Sequence, residues 1–283
     1  MTSTATKATL WFTLDDPAHK LEKPFLHNYR VDGVQRTNLS YTSVENINIK
    51  DMRSHLVDYS QNGFTMAELD SCLKYDEFKD RGRVEGIFLR EARGVMREIT
   101  GTEEVFVIEY KVEIFVDDPV RFRMSMQMSW SQELFQYWAP TAVNYSGDDA
   151  VDRIRYVFGD KAESYLDRSF QLLNLWKPLK GPVRDCPLAV CDPATIDQNC
   201  DVCYVDLIDP TNVGELANIH YNAKQSWYYI RDQKATEALV FKGYDSKKPD
   251  MLGVPHCAFM KDANVSEDEV RESIEVRAVA FFP

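Results

Sequence analysis

Residues 255–283 read PHCAFMKDANVSEDEVRESIEVRAVAFFP, and the end of that stretch decides the fold. Ile274, Val276, Ala278 and Ala280 alternate with Ser273, Glu275 and Arg277. Successive side chains of a strand point to opposite faces. The segment is therefore a strand with one apolar and one polar face, and Arg271 shares the polar one. Polar groups on one face of a buried strand look onto solvent or onto a ligand cavity.

Working upstream, similar segments follow one another from residue 169 onward. They are SFQLLNLWKPL, CPLAVCD, CDVCYVDLID, ELANIHYNAKQSWYYI, EALVFKGYD, VPHCAF and ESIEVRAVAFF, separated by turn residues. A run of strands with few helices between them predicts an antiparallel barrel or jelly roll. Gly181-Pro182 marks a turn. Before residue 169 the pattern is mixed. TKATLWFTL and RTNLSYTSVENINIK read as strands, as does EEVFVIEYKVEIFV after Thr100-Gly101. Residues 76–99 and 148–167 carry apolar residues among charges at helical spacing, with Asp148 or Asp149 as a cap. Met124, Met126, Met128 and Trp130 alternate as a strand with a soft apolar face. No repeat, low-complexity tract or Gly/Ser/Pro-rich linker divides the chain. The expectation is one domain over 1–283, with residues 1–134 packing on a core formed by 135–283.

The chain has 283 residues, 44% of them hydrophobic, enough to bury a sizeable core. Its net charge of -12 argues against wholesale binding to nucleic acid or an anionic membrane. No stretch approaches the ~20 apolar residues of a membrane span, and MTSTATKATLWFTLDD lacks a signal-peptide core. A soluble, cytoplasmic protein is expected. Six cysteines occur, Cys72, Cys186, Cys191, Cys200, Cys203 and Cys257. Cys200-x-x-Cys203 has no second pair at zinc spacing, and strand and turn follow it rather than a helix. All six are read as buried or incidental thiols.

His256 lies fifteen residues before Arg271-x-Ser273. That order suits the last metal ligand and the co-substrate clamp of a non-haem iron oxygenase, which needs a His-x-Asp or His-x-Glu upstream. The five histidines are His19, His27, His55, His220 and His256, and the residues two positions on are Leu21, Tyr29, Val57, Asn222 and Ala258. The compact ligand pair is absent.

WKPLKGPVRDCPLAVCD, SWYYIRDQKATEALVFKGYDS, PHCAF and RESIEVRA together resemble a family of fungal and bacterial proteins. It includes AsaB-type hydroxylases and desaturases, gibberellin-desaturase-like proteins and the small chain of cephamycin 7-methoxylase. The resemblance covers residues 135–283 well and the N-terminal part weakly. It implies an α+β fold with the double-stranded β-helix (jelly-roll or cupin-like) core of 2-oxoglutarate oxygenases and flanking helices. It places Ala142 and Asn144, in TAVNYSGDD, where many members have the histidine and aspartate of the ligand pair. Alanine cannot bind a metal, and Asn144 offers one neutral oxygen. On this reading the scaffold has lost its metal and needs no cofactor. The alternative is an Fe(II) and 2-oxoglutarate site with ligands of another kind.

The expected site then comprises His256, Arg271 and Lys177 as catalytic groups. Trp176, Arg184, Trp227, Tyr229, Lys242, Asn144 and Ser273 form the expected substrate-binding set. Histidine suits proton transfer near neutrality, and arginine clamps a carboxylate or an enolate bidentately. Tyr228 stands in the same aromatic run, and only half of such a run can face a cavity. The function expected is a metal-independent cyclase of secondary metabolism, similar in kind to the fungal hetero-Diels–Alderases of tropolone-sesquiterpene pathways. Such an enzyme dehydrates a tropolone alcohol to an o-quinone methide and joins it to a humulene-type alkene. The alternatives are an Fe(II)/2-oxoglutarate-dependent hydroxylase or desaturase, and a non-catalytic partner of a second protein. Polyketide or terpenoid small molecules are the expected partners, and a homodimer is the default assembly.

Overall fold

The structure is a computed structural model, and it describes residues 6–29, 32–113, 142–143, 147–262, 266 and 269–283. The strand expected at Met124–Trp130 lies outside the described residues, as does Asn144. Fourteen strands are described: β1 (Thr6–Thr13), β2 (Phe25–His27), β3 (Tyr41–Asp51), β4 (Phe64–Glu68), β5 (Val105–Glu113), β6 (Ala142–Val143), β7 (Phe170–Pro178), β8 (Leu188–Cys191), β9 (Val202–Ile208), β10 (Val213–Ile219), β11 (Trp227–Tyr229), β12 (Glu237–Asp245), β13 (His256–Ala258) and β14 (Ser273–Phe281). They form two sheets. One runs β1-β3-β11-β8-β13-β6-β10-β9-β2 and the other β4-β12-β7-β14-β5. Two facing sheets with crossing connections make the expected jelly roll. The N-terminal part does more than pack on a finished core. β1 and β3 extend the large sheet, with β3 parallel to β11, and β4 and β5 form both edges of the small one.

β7 and β14 explain the architecture. Both are flanked on two sides in the small sheet, and nearly every residue of β7 is buried. Its even-numbered side faces the large sheet, where Trp176 joins Leu188, Val190, Leu239, Phe241, Phe64 and Val254 in the cluster between the sheets. Leu173 and Leu175 face the other way, joining Ile274, Val276 and Ala278 under a helical layer. That layer is the helix Leu89–Thr100, whose Ala92 and Met96 are buried and whose Leu89, Val95 and Ile99 pack beside them. These positions recur every three or four residues and make one apolar stripe. The helix ends at Gly101, whose φ of 72° is the left-handed conformation that glycine adopts without a Cβ penalty. Each fully buried Leu, Ile or Val here stabilises by about 1.5–3 kcal/mol.

The expected helix over 76–99 is a 3₁₀ turn at Tyr75–Lys79, a short helical stretch over Arg81–Phe88 and the helix above. That over 148–167 is Gly147–Phe158 followed by Ala162–Leu166. Gly181-Pro182 is a cis peptide in the connection after β7. A Cβ on Gly181 would lie 2.8 Å from the Gln233 carbonyl oxygen, so only glycine fits there. All six cysteines are free, with Cys191, Cys203 and Cys257 buried and Cys72 and Cys200 exposed. No described helix is long and apolar enough to cross a membrane.

Candidate functional site in the barrel interior

His256 opens β13, directly across from Val190 of β8 on one side and Ala142 of β6 on the other. Opposed residues of an antiparallel pair share a face. Val190 belongs to the cluster between the sheets, so His256 points into the barrel. Its ring packs on Phe241 of the small sheet, centroids 4.7 Å apart. The Val254 carbonyl lies 3.0 Å from Nδ1. A carbonyl only accepts, so Nδ1 carries the proton and Nε2 keeps its lone pair. Burial lowers the pKa of the ring, Glu275 opposes that and Arg277 adds to it. A neutral imidazole therefore faces the interior at pH 7.

Glu275 and Arg277 lie on the polar face of β14, with Ser273. Across β5 they stand opposite Lys111, Glu109 and Glu113 respectively for Glu275, Arg277 and Ser273. Ser273 Oγ is 3.2 Å from Glu113, and Arg277 lies 3.3 Å from Glu275 and 3.4 Å from Glu109. Burial pushes the Glu113 carboxyl up, but Lys111 and Arg271 outweigh it and hold the group below its usual range.

Arg271 precedes β14 and is buried, 8% exposed. Its backbone N–H donates to Asp185 at 2.8 Å and its guanidinium to the Cys186 carbonyl at 2.9 Å. Glu113 is 3.7 Å away, and the guanidinium lies over the Trp176 ring, 5.5 Å from its centroid. Arg271, Ser273, Trp176 and His256 are thus gathered at one interior, as the sequence suggested. The fixed guanidinium on an aromatic plate suits a planar anionic group.

The other expected residues are elsewhere. Lys177 follows Trp176 and so points to the opposite face, beneath the helical layer, over Phe78 at 5.8 Å. It is 3% exposed, and burial pushes its pKa down to about 8 against the pull of Asp70 and Glu91. Trp227 and Tyr229 also face away. They join Leu10, Phe12, Ile49, Cys191 and Cys257 on the far side of the large sheet. Tyr228, between them, stands opposite Val190 and takes the interior face, touching Phe64. Lys242 follows Phe241 and turns to the opposite face, where it is held by Asp245 at 3.0 Å and lies over Tyr59. Arg184 is an exposed loop residue paired with Glu269 at 3.3 Å. Sequence reasoning placed Tyr228 in the aromatic run and Glu275 and Arg277 on a polar strand face without assigning them to the site, and it missed Phe241 and Asn174. The single polar residue inside SFQLLNLWKPL was the signal for Asn174.

A three-ligand iron site is not complete among these groups. Among the described residues no cluster of three His, Cys, Asp or Glu side chains could hold a metal ion. Alanine occupies the position that pairs with His256. His256 presents its Nε2 lone pair to this interior and is suited to ligate.

Comparison with known proteins defines the wider class. The aspirochlorine biosynthesis protein N of Aspergillus oryzae is 34% identical over 136 residues, which is 44% of this chain and 52% of that protein. The α-ketoglutarate-dependent dioxygenase tstK of Talaromyces stipitatus is 23% identical over 251 residues, 83% of this chain and 84% of that one. Among solved structures, the iron and α-ketoglutarate-dependent endoperoxidase NvfI superposes with a TM-score of 0.79 at 23% identity, covering 99% of both chains. That likeness establishes the 2-oxoglutarate oxygenase fold. The names also correct the expectation of a protein without cofactors, since tstK is named for α-ketoglutarate and NvfI for iron and α-ketoglutarate. A sequence profile described as an oxidoreductase/YMDC permease-like domain matches residues 11–281. The chain belongs to that oxidoreductase/YMDC permease-like family.

Proposed function

We propose that the chain is a tailoring oxidoreductase of fungal secondary metabolism that uses Fe(II) and 2-oxoglutarate on a small-molecule natural product. Supporting this reading are the family match across nearly the whole chain and relatives of that kind. One observation in the structure carries it: neutral His256 turns the Nε2 lone pair into the barrel that also holds Arg271 stacked on Trp176. Bound iron would supply oxygen activation, but the described donors do not complete its site. The chain's own residues bind and orient. Arg271 and Ser273 receive a carboxylate, Trp176 and Phe241 exclude water from the interior, and His256 presents a fixed, unprotonated nitrogen.

The test needs no knowledge of the substrate. Purified protein is given Fe(II), 2-oxoglutarate and air, and succinate is measured. Slow succinate release is expected, and its loss in His256→Ala and Arg271→Ala. No release above a protein-free control overturns the reading.

A second reading is ring closure in the same interior: dehydration of a tropolone alcohol and capture of the o-quinone methide by a humulene-type alkene. The alanine across from His256 favours it. Holding two reactants in contact can lower a barrier by about 7 kcal/mol or more, and a cation can stabilise the developing oxyanion. It predicts a ring-closed product when the purified chain is given the tropolone alcohol and the alkene.

A further inference from the structure

Asn174 sits mid-way along β7, directly between Phe241 of β12 and Arg277 of β14. It shares the inward face with Trp176, and Phe241 packs on His256. Asn174 is completely buried, and among the described residues neither its amide nitrogen nor its amide oxygen has a hydrogen-bond partner. Buried polar groups are nearly always paired, and leaving one unpaired is destabilising. A leucine at this place would bury as well without that penalty. Residues that break a local rule without local compensation tend to belong to a binding or reacting site.

We infer that Asn174 is a substrate-reading residue: its carboxamide hydrogen-bonds a neutral donor-beside-acceptor group of the ligand in the barrel. The chemistry follows from the neighbours. The nearest charges are already matched, because Arg277 lies against Glu275 and Glu109. An anion would leave the amide oxygen of Asn174 unanswered, since a carboxylate only accepts. A group that answers both atoms must offer an N–H or O–H next to a C=O. Lactams, amides and hydroxy-ketones do so. Such a site rejects an analogue lacking the donor, because a buried acceptor is then stranded. The inference deepens the proposed function by naming what the interior recognises, but its test does not depend on turnover.

The probe is 2-pyridone, a neutral lactam, compared with N-methyl-2-pyridone, which keeps the carbonyl and loses the donor. Ligand-observed NMR titration of the full chain, without metal or 2-oxoglutarate, reads both affinities. Binding of 2-pyridone at least tenfold tighter than its N-methyl analogue is expected. Asn174→Leu should erase that preference and raise Tm. Equal binding of the two probes, or no binding, overturns the inference. So does a fall in Tm or failure to fold in Asn174→Leu, which would mean that an internal water satisfies the amide. Asn174→Asp separates the two halves of the contact: it keeps the size of the side chain and an acceptor oxygen and loses the amide donors, so both probes should bind more weakly through their carbonyls, and unchanged affinity of both probes in that variant also overturns the inference. Absence of succinate release would defeat the proposed reaction and leave this binding result standing.

Discussion

Replacing Lys177 by methionine should make the protein more stable, and more so at neutral than at alkaline pH. Lys177 is buried beneath the helical layer, 3% exposed, with its pKa pushed from 10.5 down to about 8 by burial. At about 1.4 kcal/mol per pH unit, that gap weakens folding by about 3 kcal/mol wherever both states are protonated. The sign follows from proton counts. Below pH 8 the folded and unfolded chains both hold the proton, and the full cost applies. Between pH 8 and 10.5 the unfolded chain keeps a proton that the folded chain has lost, so stability rises with pH. At pH 9.5 the remaining cost is about 1.4 kcal/mol by the same arithmetic. Methionine preserves length and packs against Phe78, but forfeits a cation–π contact of about 0.5–1 kcal/mol. The expected gain is therefore about 2–3 kcal/mol at pH 6.5 and under about 1 kcal/mol at pH 9.5. Urea denaturation of both proteins at both pH values, with unchanged m, measures it. A loss of stability at pH 6.5, or the same gain at both pH values, refutes the reasoning.

Other outcomes follow from the same geometry. Arg271→Ala removes the donor to the Cys186 carbonyl and the cover of Trp176; it should cost about 2 kcal/mol in urea denaturation and abolish succinate release. Leu175→Ala opens a void under the helix Leu89–Thr100 and should cost about 2–5 kcal/mol by the same method. Burial alone would raise the Glu237 carboxyl, but the paired contacts of Arg53 at 2.7 and 2.9 Å hold it below its usual range. Its stabilisation is therefore present above the ordinary carboxylate pKa and is lost as pH falls through the folded one. Glu237→Gln should cost about 1 kcal/mol at pH 7, and the gap to wild type, followed by urea titration, should close below about pH 4.5.

The fold was legible because β14 alternates cleanly and because strand segments recur with turns between them. The site was legible only in part, and the reason is parity. β7 is buried on both faces, so WKP does not disclose that Trp176 faces the interior and Lys177 the helix. SWYYI is likewise aromatic at every step, and the register of β11 against β8 assigns Tyr228 inward and Trp227 and Tyr229 outward. A polar residue in an apolar run is the exception to this silence. Asn174 could have been marked from the sequence, since a central strand has no local use for a carboxamide. Arg271 and Ser273 were legible because β14 contrasts polar with apolar faces. The absence of a His-x-Asp was legible too, and Ala142 of TAVNYSGDD pairs with His256 across β6 and β13.

The central claim is an iron and 2-oxoglutarate site at His256. Anaerobic equilibrium dialysis with Fe(II) and 2-oxoglutarate, followed by metal analysis, tests it most directly. About one iron per chain should be retained, falling to background in His256→Ala. Background iron in the wild-type protein, with 2-oxoglutarate present throughout, would contradict the account.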